Sequence, residues 1–421
     1  MNKKIILVLV VVIIAIGGSG IYYFNNQEPT PEPAPVANDK GATPAGINSV
    51  INANDQFALD LYSQLKNSEG NIFFSPYSIS TALAMVYDGA RGKTADEIQS
   101  VFHFPTDGDL RKSSFAAIHN QLNKADAKYK LNIANALWAQ NDYKFLNDYL
   151  TTVQQYYAGK ATNVDFKNST EEARQTINKW VESKTNNKIK DLFPQGSLNN
   201  MTRLVLTNAI YFKGTWITQF EKSQTKDDDF RVSSADTIKV QMMRRTDKNS
   251  KFNYTEDDNI QILEMPYEGD KLSMMVLLPK NDSLSSLESS LSLEKINDWR
   301  NKLQEQRVYV FMPKFTFDTK YSMDKTLEKI GMPTAFTSNA DFSGMDGTQN
   351  LFIQKVIHQA FVNVNEEGTE AVAATGVSMV TKSAMPQQSI IFRADHPFIF
   401  IIQDKDNGNI LFLGRVVNPK K

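Results

Sequence analysis

The bond between Lys382 and Ser383 is where this sequence most plainly offers chemistry to another molecule. A lysine inside a run of small side chains is the kind of site that trypsin-like proteases cut. The surrounding stretch, 365–385, reads NEEGTEAVAATGVSMVTKSAM, with no charge between Glu370 and Lys382 and no proline before Pro386. Laid out as an extended strand, Thr369, Ala371, Ala373, Thr375, Val377 and Met379 share one small, mostly apolar face, and Glu370, Val372, Ala374, Gly376 and Ser378 share the other. Such a strand fits the middle of a sheet, with the Glu370 face the one able to meet water. The same composition also suits an exposed, cleavable loop, and the residues by themselves leave both readings open.

Other chemistry is scarce. The chain of 421 residues has no cysteine and four histidines. Thiolate nucleophiles, disulfides, iron–sulfur clusters and cysteine-based zinc sites are excluded together. There is no G-x-S-x-G, and no nucleophile, base and orienting partner stand out, so an exported hydrolase is disfavoured. Gly89 to Thr94 resembles a phosphate loop, but Tyr87 stands where its first glycine is required, so the stretch reads as a helix end followed by the next helix start. Asp227-Asp228-Asp229 reads as a solvated turn before a strand in preference to a cation site. His358, within the apolar strand-like segment Leu351 to Val364, reads as a hydrogen-bonded core histidine. With 46 Lys+Arg against 47 Asp+Glu the net charge is -1, so neither a nucleic-acid binder nor a basic stripe for a polyanion is expected. No metal and no cofactor are expected.

The elements that must hold the 365–385 stretch follow. Lys3 and Lys4 precede an apolar run from Ile5 to Ile16, then small residues and the cluster Ile21-Tyr22-Tyr23-Phe24. Residues 1–24 therefore read either as a signal peptide or as an N-terminal membrane anchor. Residues 25–47, with Pro29, Pro31, Pro33, Pro35 and Pro44, read as an extended spacer. Both readings place the body outside the cytoplasm, secreted or tethered to the outer face of the membrane. A hydrophobic fraction of 41% with 22% charged residues is that of a chain with a large core. No second linker or repeat divides residues 48–421, which are read as one domain.

The early body reads helical: Asn48 to Leu65 by apolar spacing, Tyr77 to Tyr87 behind a Ser75-Pro76 cap, a helix opened by Thr94 and Glu97 as a capping box, and Glu171 to Lys184. Later segments read as strands: Arg203 to Phe212, Gln261 to Pro266, Leu272 to Pro279, Val308 to Phe317 and Ile390 to Ile402, with a hairpin at Asn407-Gly408. Helices followed by long antiparallel strands indicate an α+β fold.

Four separated stretches resemble the serpins, the serine-protease inhibitor superfamily, in the order that family has them. They are Asn71 to Ser80 (NIFFSPYSIS), Leu206 to Trp216 (LTNAIYFKGTW), the hinge Glu366 to Ala371 (EEGTEA) and Phe392 to Phe400 (FRADHPFIF). The resemblance covers Asn48 to Lys421. It implies about nine helices, three β-sheets and an exposed reactive-centre loop from Glu366 to about Gln388, with a hinge formed by Glu366, Gly368, Thr369, Glu370, Ala371, Ala373 and Ala374. It implies a monomer that acts on a target serine protease as a suicide substrate. The protease attacks Lys382-Ser383, an acyl-enzyme forms, and the cleaved loop enters the central sheet as a new strand. It further implies that Ser75, Ser78, Asn208 and His358 form the cluster beneath the opening sheet, that Trp216 marks the top where insertion begins, and that Lys314 and Glu366 pair there. Val372 departs from the alanine common in inhibitors, and the stretch from Lys382 to His396 is longer than in some members, which bears on the bond's position by about a residue. Other readings are a non-inhibitory serpin used for binding or storage and an inhibitor of a papain-like cysteine protease.

Overall fold

The core begins where helices that open on a proline meet strands buried along their whole length. A computed structural model describes residues 35–124, 127–281, 283–369 and 390–421. The segment 1–24, the spacer up to residue 34, and the loop 370–389 with Glu370, Ala371, Ala373, Ala374, Lys382 and Ser383 lie outside the described residues. The body Val36–Lys421 is one compact unit.

The first helix, Pro44–Leu65, starts four residues before the periodicity suggests, because Thr43 caps it by accepting from Gly46 N at 3.1 Å and Pro44 occupies its first turn. Val50, Ile51, Phe57, Ala58, Leu61 and Leu65 are buried, and so are Asn54 and Asp55. These two polar residues hold the last hairpin: Asp55 Oδ1 accepts from Ile410 N at 2.8 Å and Asn54 donates to Asn409 Oδ1 at 2.9 Å. Burial pushes the Asp55 carboxyl up to about 7. Residues 36–43 run against the helices Gly108–Leu122 and Asn147–Tyr157. Asn120 accepts from Ala37 N and donates to Ala37 O, both at 2.9 Å, and Asn38 N donates to Gln155 O at 2.7 Å.

Ser75 caps the helix Pro76–Gly89 as expected, accepting from Ser78 N at 3.1 Å. The capping box at Thr94 and Glu97 does not form. That helix runs Gly92–Phe102 from Arg91 without a side-chain cap, and both residues bond elsewhere. Thr94 Oγ1 accepts from Asp341 N, and Glu97 takes the N–H and hydroxyl of Thr334. Helix Thr170–Lys184 matches its sequence reading closely.

Sixteen strands are described: β1 (Ile72–Phe74), β2 (Tyr129–Gln140), β3 (Lys160–Val164), β4 (Leu204–Thr215), β5 (Lys226–Arg231), β6 (Thr237–Arg245), β7 (Lys251–Glu256), β8 (Ile260–Pro266), β9 (Leu272–Pro279), β10 (Gln304–Pro313), β11 (Phe315–Ser322), β12 (Lys355–Val364), β13 (Gly368–Thr369), β14 (Ile390–Arg393), β15 (Phe398–Asp404) and β16 (Ile410–Val416). They form a six-stranded sheet, β11-β12-β13-β4-β2-β3, and a ten-stranded sheet, β1-β16-β15-β9-β8-β7-β10-β6-β5, with β14 also on β10. The α+β class holds, with ten α-helices among the described residues. A third sheet is not separate there, because β10 pairs with β7 at one end and with β6 and β14 at the other, joining what would be two sheets into one.

Two strand readings and one turn reading change. Val308 to Phe317 is not one strand: Pro313 ends β10 and Phe315 begins β11 in the other sheet, with Lys314 between them. Ile390 to Ile402 is also two strands, because Ala394 to Pro397 carries the chain from β14, parallel to β10, to β15, antiparallel to β9. Asp227-Asp228-Asp229 is not a turn. It lies within β5 on the β6 ladder, where Asp228 meets Arg244 at 3.0 Å and Arg393 at 2.9 Å. The terminal hairpin β15–β16 is as read, with Gly408 at φ 77°.

Beneath the six-stranded sheet lies the main core. Its other face is covered by the helix Thr170–Lys184, whose Ile177 and Val181 pack with Trp138, Phe193, Ala209 and Ile357.

Candidate functional site

Two features of the six-stranded sheet bear on function: a buried polar row at its middle and a gap partly filled by β13 at its top. In the middle, β12 lies parallel to β4 with His358 opposite Asn208, while β2 lies antiparallel to β4 with Asn135 opposite Asn208. Tyr321 on β11 faces His358 from the other side. All three of His358, Asn208 and Asn135 are buried.

The helix Pro76–Gly89 closes this row from below. Ser75 N donates to His358 Nε2 at 3.1 Å, so Nε2 must be an acceptor and the proton sits on Nδ1, which bonds Asn208 Oδ1. Asn208 Nδ2 then donates to Ser78 Oγ at 2.7 Å and to Asn135 Oδ1 at 2.5 Å, and Asn135 Nδ2 donates to Ser78 O at 3.1 Å. Ser75 Oγ donates to Leu411 O at 2.6 Å. Burial drives the His358 pKa down from 6.5 to about 3, so the ring is neutral. It ties β12 to β4 by donating to Asn208, and to the start of the helix Pro76–Gly89 by accepting from Ser75. Ser75, Ser78, Asn208 and His358 thus meet in one network. Asn135 belongs to it as well; in LNIANALWAQ it is one of three amides, and nothing in the sequence sets it apart from Asn132 and Gln140.

At the top the parallel strands part. After β12 the chain turns at 365–368, where Asn365 Oδ1 accepts from Glu367 N at 3.0 Å and Gly368 N at 3.3 Å. The two residues of β13 then return between β12 and β4, with Thr369 opposite both Val364 and Gly214. Gly368 is obligatory here, since a Cβ would stand 2.0 Å from Gly214 O. Thr369 is buried and its hydroxyl meets Tyr267 OH at 2.7 Å. Trp216 stacks on Tyr267 at 4.5 Å, its Nε1 donates to Asn365 O at 3.1 Å and its backbone N to Glu367 O at 2.8 Å.

Lys314 and Glu366 do pair, at 2.9 Å, and Thr225 Oγ1 donates to the same carboxylate at 2.8 Å. Burial raises the Glu366 carboxyl, but these bonds outweigh it and hold the group below the usual range. Glu367, also buried, meets Lys222 Nζ at 2.6 Å, and the carboxylate holds Lys222 above the ordinary lysine range. Sequence reasoning singled out none of Lys222, Thr225 and Tyr267, whose roles depend on the fold alone. Among the described residues no group of three or more His, Cys, Asp or Glu is placed to hold a metal ion. Nor is any described helix long and apolar enough to cross a membrane.

The fold and this site define a class of mixed α/β protein built around a sheet that already admits the first residues of an extra strand. The family model described as "Serpin (serine protease inhibitor)" matches residues 52–419. An uncharacterized serpin-like protein of Thermococcus kodakarensis is 43% identical over 373 residues, 88% of this chain and 86% of that one. The leukocyte elastase inhibitor of Homo sapiens is 42% identical over 383 residues, 89% of this chain and 100% of the relative. Among solved structures, uncleaved ovalbumin matches with a TM-score of 0.79 at 33% identity, covering 88% of this chain and 100% of that one. Human thyroxine-binding globulin complexed with thyroxine matches with a TM-score of 0.81 at 32% identity, covering 89% and 100%. The chain belongs to the serpin family, a family of protease inhibitors and not of catalytic enzymes.

Proposed function

We propose that this serpin is a suicide-substrate inhibitor of trypsin-like serine proteases. The observation that carries the reading is β13, whose Thr369 already pairs with both β12 and β4. Continuing that antiparallel register puts Ala371 opposite Val362 and Phe212, Ala373 opposite Ala360 and Ile210, and Thr375 opposite His358 and Asn208. On the other face Ala374 falls between Ala209 and Gln359, the former packed under the helix Thr170–Lys184. Small side chains are therefore needed on both faces, and the segment supplies them. Thr375 brings a hydroxyl to the place where the His358–Asn208 bond must break.

In the reaction the protease serine oxygen attacks the Lys382 carbonyl carbon. The C–N bond to Ser383 breaks, the proton lost by the serine oxygen passes to the Ser383 nitrogen so that it leaves as a free amine, and Lys382 remains as an ester on the protease. Twelve residues, 370–381, then gain sheet hydrogen bonds at about 0.5–1.5 kcal/mol net each, on the order of 10 kcal/mol in sum. That matches the whole stability of a typical domain, about 5–15 kcal/mol, and suffices to distort the attached protease before water cleaves the ester. At about 3.3 Å per residue the new strand spans ~40 Å. Lys382 supports trypsin-like specificity by offering an ammonium to an acidic pocket, and the relation to a leukocyte elastase inhibitor supports action on a protease. The basic and apolar residues 3–16 support export of the body, as a secreted or tethered protein.

Mixed with trypsin, the protein should give a band at the summed mass that survives boiling in detergent, and a released peptide beginning at Ser383. A clipped body beside fully active trypsin would sink the reading and favour a binding protein, a use of this fold named in the thyroxine-bound relative. Lys382→Ala should slow the reaction with trypsin by about 100-fold or more, since a buried charge partner is lost. Second-order inactivation rates check this, and an unchanged rate would place the bond elsewhere.

A further inference from the structure

We infer that Lys222 is a positioning residue for the proposed reaction: with Glu367 it forms a clasp that holds Gly368 and Thr369 in the sheet before any protease arrives. The inference rests on the suicide-substrate reading for its consequence, but the clasp itself is a property of the uncleaved protein. Glu367 is 6% exposed. Its Oε1 lies 2.6 Å from Lys222 Nζ in an ion pair, and neither carboxylate oxygen has any other hydrogen-bond partner. Among the described salt bridges Lys222 is the one cation paired with Glu367, and its own side chain is 59% exposed.

Such a carboxylate stays buried only while its cation stays beside it. Glu367 is fixed to the hinge on both sides, since its N–H bonds Asn365 Oδ1 and its carbonyl bonds Trp216 N. If the carboxylate moves out to water, the turn at 365–368 opens and β13 leaves the sheet. The neighbouring pair, Glu366 with Lys314 and Thr225, is better bonded and anchors the end of β12. The Glu367–Lys222 pair is the weaker of the two and lies one residue nearer the inserted strand. While it holds, the new strand has its first two residues in place, and insertion after cleavage extends an existing nucleus. Without it, the nucleus must form while the ester awaits hydrolysis.

The test compares Lys222→Ala, the double variant Lys222→Ala with Glu367→Gln, and the unaltered protein. Without protease, hydrogen exchange over 364–369 should rise about tenfold or more in Lys222→Ala, with a red shift in Trp216 emission, and should return toward the original in the double variant, which has no buried charge to pair. Melting should change little in either variant, because Lys222 is mostly exposed. With trypsin, Lys222→Ala should yield more clipped product per trapped enzyme at an unchanged initial attack rate, and the double variant should restore the ratio. Unchanged exchange and emission in Lys222→Ala would overturn the clasp, as would failure of Glu367→Gln to rescue. If the unaltered protein traps no trypsin, the suicide-substrate reading fails, while the exchange data still decide whether the clasp exists.

Discussion

Thr369→Arg should convert the protein from an inhibitor into a substrate, with trapped complex falling at least about tenfold while cleavage continues. Thr369 sits with 1% exposure against the core, its hydroxyl on Tyr267. A guanidinium there has no carboxylate partner, and burying an unpaired charge costs several kcal/mol. That is a large share of the roughly 10 kcal/mol gained on insertion, and it falls on the residue from which the new strand grows. The cleaved loop then enters too slowly and water releases the protease. Thr369→Ser keeps the hydroxyl and should keep inhibition. Denaturing gels scored for complex against clipped product decide the matter, and equal complex yield from Thr369→Arg would remove strand insertion from the mechanism.

The second large effect is on stability against pH. The folded protein holds His358 neutral down to about 3, against 6.5 for an ordinary imidazole. As pH falls through that window the unfolded chain takes up a proton that the folded one refuses. Stability from this residue is therefore present above 6.5 and lost as pH drops toward 3, by roughly 4–5 kcal/mol in all. Asp55 works in the opposite sense. Its folded pKa of about 7 lies above the ordinary 3.8, so its contribution is present at low pH and is lost as pH rises between those values, by about 4 kcal/mol. The two oppose each other over the same range. His358→Gln should remove the histidine's share alone: its melting temperature should lie well below that of the unaltered protein at pH 8 and approach it by pH 4.5. A constant gap across that range would show that His358 is not held neutral by its burial.

How far the sequence reveals such a site depends on how local each signal is. Ser75 and Pro76 announce their helix because a cap acts within four residues, and the β15–β16 hairpin is announced by Asn407-Gly408 for the same reason. Thr94 and Glu97 have the spacing of a local motif, yet partners more than two hundred residues away, Asp341 and Thr334, take both side chains. The long strand β2 escapes the reading of the early body as helical because it follows a helical stretch and gains its place by pairing with β4 and β3, distant and later in the chain. Ser75, Ser78, Asn208 and His358 were legible together through family resemblance, whereas Asn135, which completes their hydrogen bonds, carries no family motif and no periodic signal. Lys222 is harder still. It is an exposed lysine in a short 3-10 turn, and only its closeness to Glu367 gives it meaning.

The break at Lys314 has a mechanical side. One residue joins β10 to β11, its N–H held by Gln241 O at 2.8 Å and its ammonium by Glu366. That junction leaves no slack, so β11 and its partner β12 are moored to the ten-stranded sheet. On the far side of the opening, β4 reaches β5 through residues 216–225, a connector long enough to give. On the proposed insertion the sheet would widen by a strand's breadth, about 4.8 Å, and the displacement would fall on β4, β2 and β3 and on the helix Thr170–Lys184 packed upon them. The sheet would then part like a drawer in a fixed frame, with one half travelling and the other standing still.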